Sequence, residues 1–204
     1  MFEFEIFKPY SDRLKSGVTP DAFSMKDAVM ADQVHGDFIM EVNEKPDELP
    51  QCDAFITRQK ELPIMVKVAD CQGIILYDPT THSAAAVHSG WRSSCLNILG
   101  KAVKRMQDFF GSSPTDLVAA ISPSLGPCCA EFSDPKIELP AFCYPFIRDN
   151  NHVDFWGLSM SQLQAAGIPP SQIECAGQCT KCQPGFLSHR KGDSGRMGVF
   201  VKLL

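Results

Sequence analysis

Apolar and acidic residues alternate from Met1 to Phe7, a period of two that predicts a β-strand over Phe2 to Phe7. Residues 11–24 are polar and punctuated by Gly and Pro, which reads as a connection. Ala28 to His35 and Phe38 to Val42 read as short strands around Gly36-Asp37, a hairpin that sets His35 at a strand end. β-rich runs follow at Ala54 to Thr57, Ile64 to Val68 and Ile74 to Tyr77, the last two separated by the polar insert Asp70-Cys71-Gln72-Gly73. Ala84 to Val87 is a further strand ending at His88. The period then changes, because Leu96, Leu99, Val103, Met106 and Phe110 lie 3, 4, 3 and 4 apart, predicting a helix that Gly111 stops. Leu117 to Ile121 reads as a strand, residues 122–127 as a Pro-rich loop, Ser159 to Ala166 as a helix stopped by Gly167, and Val199 to Leu203 as a last strand. No repeat or linker interrupts the series, so the expected architecture is one domain that mixes α and β, with strands dominating the first half.

Composition narrows the function classes. A chain of 204 residues that is 44% hydrophobic, with 14 phenylalanines, can bury one large core and is short for two. The net charge of −5 and scattered Lys and Arg leave no footprint for nucleic acid, although a local basic pocket can still take a small anion. The first residues lack the basic and apolar regions of a secretory signal, and no stretch approaches the ~18 apolar residues of a membrane span. A cytoplasmic protein without membrane contact is expected, and the oligomeric state stays open. Nine cysteines, an odd number in a chain without an export signal, point to reduced thiols. Cys52, Cys95, Cys143 and Cys175 sit in apolar or mixed surroundings and read as small buried hydrophobes. Cys179 and Cys182 have the spacing of half a zinc site, but the chain holds no second Cys-x2-Cys pair, so a separate structural zinc is not expected.

Three residues at the edges of apolar runs carry the candidate chemistry: His35, Cys71 and His88. Imidazole nitrogen and thiolate sulfur are zinc ligands, and three protein ligands leave a fourth position open for catalysis. Their separations, 36 and 17 residues, match no local metal motif, so spacing alone leaves equal room for two capped histidines and a buried thiol. The neighbours add weight. Asp70 can orient a ligand or accept a proton, or be a solvated turn residue. Ser89-Gly90-Trp91-Arg92 leads into the helical segment, where free N–H groups and Arg92 suit a phosphate, against a surface ion pair. Gln33 stands two positions from His35, on the same face of the expected strand. Arg196, in the basic tail, can approach a phosphate or remain on the solvated surface.

Several motifs occur in an order that resembles the bacterial laccase-domain family, also described as multicopper polyphenol oxidase-like and as purine nucleoside phosphorylase-like. They are Gln33-Val34-His35-Gly36, Ala69-Asp70-Cys71, Ala85-Ala86-Val87-His88-Ser89-Gly90-Trp91-Arg92, residues 121–131 (ISPSLGPCCAE), Cys179-Thr180-Lys181-Cys182 and Ser188-His189-Arg190. The resemblance implies an α+β fold, a single domain over 1–204 of mixed β-sheets with flanking helices, layered in the manner of cysteine-hydrolase toxins, with one zinc ion held by His35, Cys71 and His88. It implies phosphorolysis of purine nucleosides and of methylthioadenosine, and deamination of adenosine, with purine nucleosides and phosphate as partners. It places Cys128 and Glu131 near the substrate, and Arg190 is a candidate for the same role. Asp70 and Arg92 are the expected catalytic residues; Gln33, Arg92, Cys128, Glu131 and Arg190 are the expected substrate contacts. Copper is not expected, because a multicopper cluster needs about ten histidines and this chain has five. Relatives usually carry a longer region before the first ligand, whereas His35 follows only 34 residues here, so part of the pocket is expected to be missing or rebuilt. Two alternatives remain: a metal-free cysteine hydrolase with Cys71 as nucleophile and His88 as base, and a non-catalytic purine-binding protein. Copper polyphenol oxidation ranks last.

Overall fold

In the computed structural model, which describes residues 2–204, the polypeptide forms three layers. The outer sheet is β1 (Leu14–Thr19), β9 (Met197–Leu203) and β4 (Ile64–Val68), in the order β1-β9-β4. The central sheet runs β2 (Ile39–Glu41), β3 (Ala54–Thr57), β6 (Ser83–Ser89), β5 (Gln72–Asp78), β7 (Val118–Ile121) and β8 (Ile173–Cys175). It is mixed: β2 pairs with β3 and β7 with β8 in parallel, and the other pairs are antiparallel. Helices α2 (Ile98–Phe110) and α4 (Phe155–Ala165) cover its second face; α1 (Trp91–Cys95) and α3 (Pro135–Glu138) are short. The fold class read from the sequence is therefore the observed one.

The period-two pattern explains the layering. Phe55, Ile75, Tyr77, Ala84 and Ala86 face the outer sheet and pack on Val66, Val68, Val199 and Val201. Their neighbours Ile56, Ile74, Leu76, Ala85 and Val87 face the other way, onto Ile98, Leu99, Val103 and Met106 of α2. β5 and β6 are buried along their whole length, which is why they read as continuous apolar runs. Each fully buried Leu, Ile or Val contributes about 1.5–3 kcal/mol relative to exposure. At Gly73 the two sheets approach so closely that a Cβ would stand 2.5 Å from Val199 Cγ2.

Four expected elements differ. Phe2 to Phe7 is not a strand: Glu5–Tyr10 is a 3-10 helix, and Phe2 makes only an isolated bridge to Val18. Phe4 and Phe7, three apart, are the buried pair, so a three-residue turn hides what alternation would have split between two faces. The expected connection at 11–24 contains β1, which pairs with β9 from Leu14↔Leu203 to Thr19↔Gly198. The Gly36-Asp37 hairpin does not form, and Ala28 to His35 is no strand, making only an isolated bridge from Val29 to Ile64. His35 itself adopts a left-handed φ of 61°, and the N–H groups of His35 and Gly36 donate to the Asp53 carboxylate instead of to a strand. The helix expected from Leu96 is broken at Asn97 (φ 55°), whose side chain caps α2 at Gly100 N, leaving Leu96 exposed. Gly111, at φ 71°, ends α2 as expected. Among the described residues, no helix is long and apolar enough to cross a membrane.

Candidate metal centre and substrate cleft

His35, Cys71 and His88 arrive from three separate segments and meet at one point. His88 is the penultimate residue of β6, Cys71 directly precedes β5, and His35 lies in the irregular segment ahead of β2. Gly73 pairs with His88 across β5 and β6, so sheet register sets Cys71 beside it. One donor atom from each of the three lies within 4.8 Å of the others, and Cys71 Sγ is 3.9 Å from His35 Nε2. The two imidazoles cross edge to face, 4.8 Å between centroids.

Asp53, fully buried at the head of β3, organises this meeting and was not singled out in the sequence. Its Oδ1 accepts from His35 N at 2.9 Å and from His88 Nδ1 at 2.8 Å, and its Oδ2 accepts from Gly36 N at 2.7 Å. A carboxylate can only accept, so Nδ1 of His88 carries the proton and Nε2 is left as the donor atom. The signal in the sequence was an acidic residue set between Cys52 and an apolar strand, where a charge needs a buried partner.

Gly90 closes the arrangement. It sits at φ −76°, open to any residue, yet a Cβ there would meet His35 Cδ2 at 2.8 Å and Cys71 Sγ at 3.1 Å. Burial opposes a charge on Cys71, but hydrogen bonds from His35 and His88 outweigh it and bring the thiol down to about 6. Burial likewise opposes a cationic His88, and its bonds to Asp53 and Cys71 outweigh that, raising it to about 9. Asp53 stays below the usual carboxylate range against the effect of burial, held there by His88 and the Gly36 N–H.

These donors fit zinc. Ligand bonds of 2.0–2.3 Å place tetrahedral donor atoms roughly 3.5 Å apart, against 3.9 Å between Cys71 Sγ and His35 Nε2 and at most 4.8 Å within the set, and one sulfur with two nitrogens is a usual zinc set. Asp53 supplies the hydrogen-bonded carboxylate that fixes a ligating histidine.

The centre forms the floor of a cleft of about 620 Å³. Trp91, Phe132 and Phe155 make an aromatic wall, Trp91 and Phe132 meeting edge to face at 5.8 Å. Lys67, Arg92, Arg190 and Arg196 bring positive charge to the cleft lining, with His189 beside them. Arg92 stacks over Trp91 at 4.2 Å, leaving its guanidinium edge free. Gln72, also lining the cleft, accepts from Ser159 through Oε1, and its buried Nε2 has no partner among the described residues.

The other expected site residues fall into two groups. Asp70, Gln33 and Arg190 line the cleft, yet each is tied to the chain. Asp70 accepts from Thr180 Oγ1 and Arg190 N, both at 2.7 Å. Gln33 exchanges two hydrogen bonds with the Lys67 backbone. The Arg190 guanidinium donates to the carbonyls of Cys129 and Glu131. Cys128 and Glu131 lie outside the cleft lining, and Cys128 instead joins Cys129, Cys179 and Cys182 in a thiol cluster. The aromatic wall, Lys67 and Gln72 were not read from the sequence as site residues: nothing local distinguishes the three aromatics from core, and the available signals were a lysine inside an apolar strand and the polar insert that holds Gln72.

The chain is similar to several known proteins. A purine nucleoside phosphorylase of Bacteroides thetaiotaomicron is 32% identical over 163 residues, covering 73% of this chain and 60% of that protein. Purine nucleoside phosphorylase YlmD of Geobacillus stearothermophilus is 30% identical over 202 residues, covering 88% and 73%. The crystal structure of that YlmD superposes with a TM-score of 0.75 at 28% identity, over 88% of this chain and 74% of the other. Adenosine deaminase RL5, from an unknown prokaryotic organism, is 28% identical over 177 residues, covering 80% of this chain and 67% of RL5. The chain thus spans less than two thirds of the Bacteroides protein's length. The family model described as multi-copper polyphenol oxidoreductase laccase matches residues 17–204, which include every ligand, Asp53 and the whole cleft, and the chain belongs to that family.

Proposed function

We propose that this chain is an enzyme, a zinc-dependent purine nucleoside phosphorylase that also deaminates adenosine and phosphorolyses methylthioadenosine. One observation carries the reading: a three-donor centre of His35, Cys71 and His88 lies on the floor of a cleft that combines an aromatic wall with four cationic side chains. The names of the relatives, phosphorylases and one deaminase, point the same way.

Each part of the cleft has a task. Trp91, Phe132 and Phe155 offer apolar faces to a purine, and stacking contributes about 1–3 kcal/mol per base. Gln72, beside Cys71, lines the cleft and is held there by the hydrogen bond that its Oε1 accepts from Ser159. Arg92, with Lys67 and Arg196, draws phosphate to the cleft and orients one oxygen toward C1′. In phosphorolysis that oxygen bonds to C1′ as the C1′–N9 bond breaks; its electron pair stays on the purine, which takes up a proton. Asp70 fixes the wall beside the ligands through Thr180 and Arg190, and its place in the cleft keeps it a candidate for moving that proton. Zinc held by His35, Cys71 and His88 would supply Lewis acidity and lower the pKa of water toward ~7, as deamination at C6 requires.

Product analysis of zinc-loaded protein with adenosine, with and without phosphate, tests this reading. Adenine and ribose 1-phosphate should appear only with phosphate, and inosine in either case. Absence of all three products would refute it.

The Asp53–His88–Cys71 relay favours a second reading, a cysteine hydrolase in which His88 bases the Cys71 thiol without metal. Turnover that survives chelation and is abolished by alkylating Cys71 would select it.

A further inference from the structure

The two loops that wall the cleft carry a second gathering of donors. Cys128 and Cys129 follow the Pro-rich loop after β7, and Cys179 and Cys182 lie in the turn after β8. All four sulfurs fall within 4.8 Å of one another; Cys182 Sγ is 3.6 Å from Cys128 Sγ and 3.3 Å from Cys129 Sγ. A zinc ion bound by four thiolates at 2.3 Å spaces its sulfurs about 3.8 Å apart. The missing partner for the Cys179-x2-Cys182 half-site is therefore the adjacent pair Cys128-Cys129, invisible to any search for a second Cys-x2-Cys.

At Cys179 the backbone is shaped for anionic sulfur. Gly126 N donates to Cys179 Sγ at 3.3 Å, and the N–H groups of Lys181 and Cys182 also point at that sulfur. Such N–H···S bonds favour thiolate, the state a metal needs. The loops are also aligned by Ser124 N to Gln178 O at 3.1 Å and Thr180 N to Ser124 O at 3.0 Å. Two sulfurs would suffice for a disulfide, whereas four facing a common point satisfy one ion.

We propose that Cys128, Cys129, Cys179 and Cys182 form a second, structural zinc site that clamps the 122–131 loop to the 176–192 tail. The clamp holds the cleft wall, because Arg190 donates to the carbonyl of Cys129 and Thr180 donates to Asp70, the neighbour of Cys71. The inference is independent of the proposed nucleoside chemistry.

The test is metal stoichiometry of the full chain, purified under reducing conditions, loaded with zinc and dialysed against a weak chelator. Wild type should retain about two zinc ions per chain, and Cys182→Ser, Cys128→Ser and His88→Ala about one each, since each variant removes a ligand from one four-coordinate site. Cobalt(II) in His88→Ala should show the sulfur-to-metal charge-transfer bands of a four-thiolate tetrahedral site. A measurement on the wild type avoids reliance on variants that fold poorly: zinc should protect these four cysteines from alkylation, read by mass spectrometry. One zinc ion per chain that His88→Ala abolishes would overturn the proposal. So would disulfides among the four cysteines in the zinc-loaded protein, or their full alkylation with zinc present.

Discussion

Replacing Asp53 with Asn keeps the shape of the residue and removes one acceptor. The carboxylate accepts three hydrogen bonds at 2.7–2.9 Å, from His35 N, Gly36 N and His88 Nδ1. An amide has one oxygen and one NH2 group, so whichever way it turns at least one donor faces another donor. If the NH2 group faces Gly36, the buried amide meets a half-buried N–H donor to donor, costing about 1–3 kcal/mol. If it faces His88, the imidazole must move its proton to Nε2, the atom that serves zinc. Either way the ligand set loosens, and loss of such a supporting carboxylate lowers metal affinity about 10–100-fold. The stability loss corresponds to a fall in Tm of roughly 3–10 °C for a chain of this size. Chelator competition with zinc and scanning calorimetry of the metal-free protein measure the two effects separately. Zinc affinity within twofold of wild type would refute the role given to Asp53.

Other outcomes follow from the same geometry. Gly90→Ala should lower zinc affinity at the His35–Cys71–His88 centre about tenfold with little loss of stability, since its Cβ would collide with His35 and Cys71 while its backbone is unstrained. Arg92→Ala removes a charged contact of about 1.5–3 kcal/mol, so KM for phosphate should rise roughly 10- to 100-fold while deamination, which needs no phosphate, keeps its rate. In metal-free protein, alkylation of Cys71 should slow as pH falls through about 6, because its lowered thiol value keeps the thiolate present above that pH and loses it below. An unperturbed thiol would lose reactivity near 9. Gly73→Ala should lower Tm, since overpacking against Val199 costs about 1–3 kcal/mol without touching the cleft.

How much the sequence disclosed depended on what each signal measures. β5 and β6 were legible because strands covered on both faces read as unbroken apolar runs, and the α2 stripe was legible because one face packs on the sheet. The hairpin at Gly36 was misread because the N–H groups of His35 and Gly36 are claimed by Asp53, 17 or 18 residues on, and no local pattern reports such a partner. The 3-10 helix at Glu5–Tyr10 escaped because its apolar residues also suit alternation. His35, Cys71 and His88 were found from residue type and motif order. Asp53 and Gln72 were missed because their roles come from burial and pairing. The gathering of Cys128 and Cys129 with Cys179 and Cys182 depends on two loops meeting across 53 or 54 residues, which spacing rules do not describe.

The central claim is that a zinc centre of His35, Cys71 and His88 serves purine nucleoside chemistry in this cleft. Its most direct measurement is the rate of phosphate-dependent adenine release from adenosine as zinc is restored to chelated protein, in wild type and in His88→Ala. The account predicts activity that rises with occupancy of the centre in wild type and stays at background in the variant. Full activity in chelated wild type, or an active His88→Ala, would contradict it.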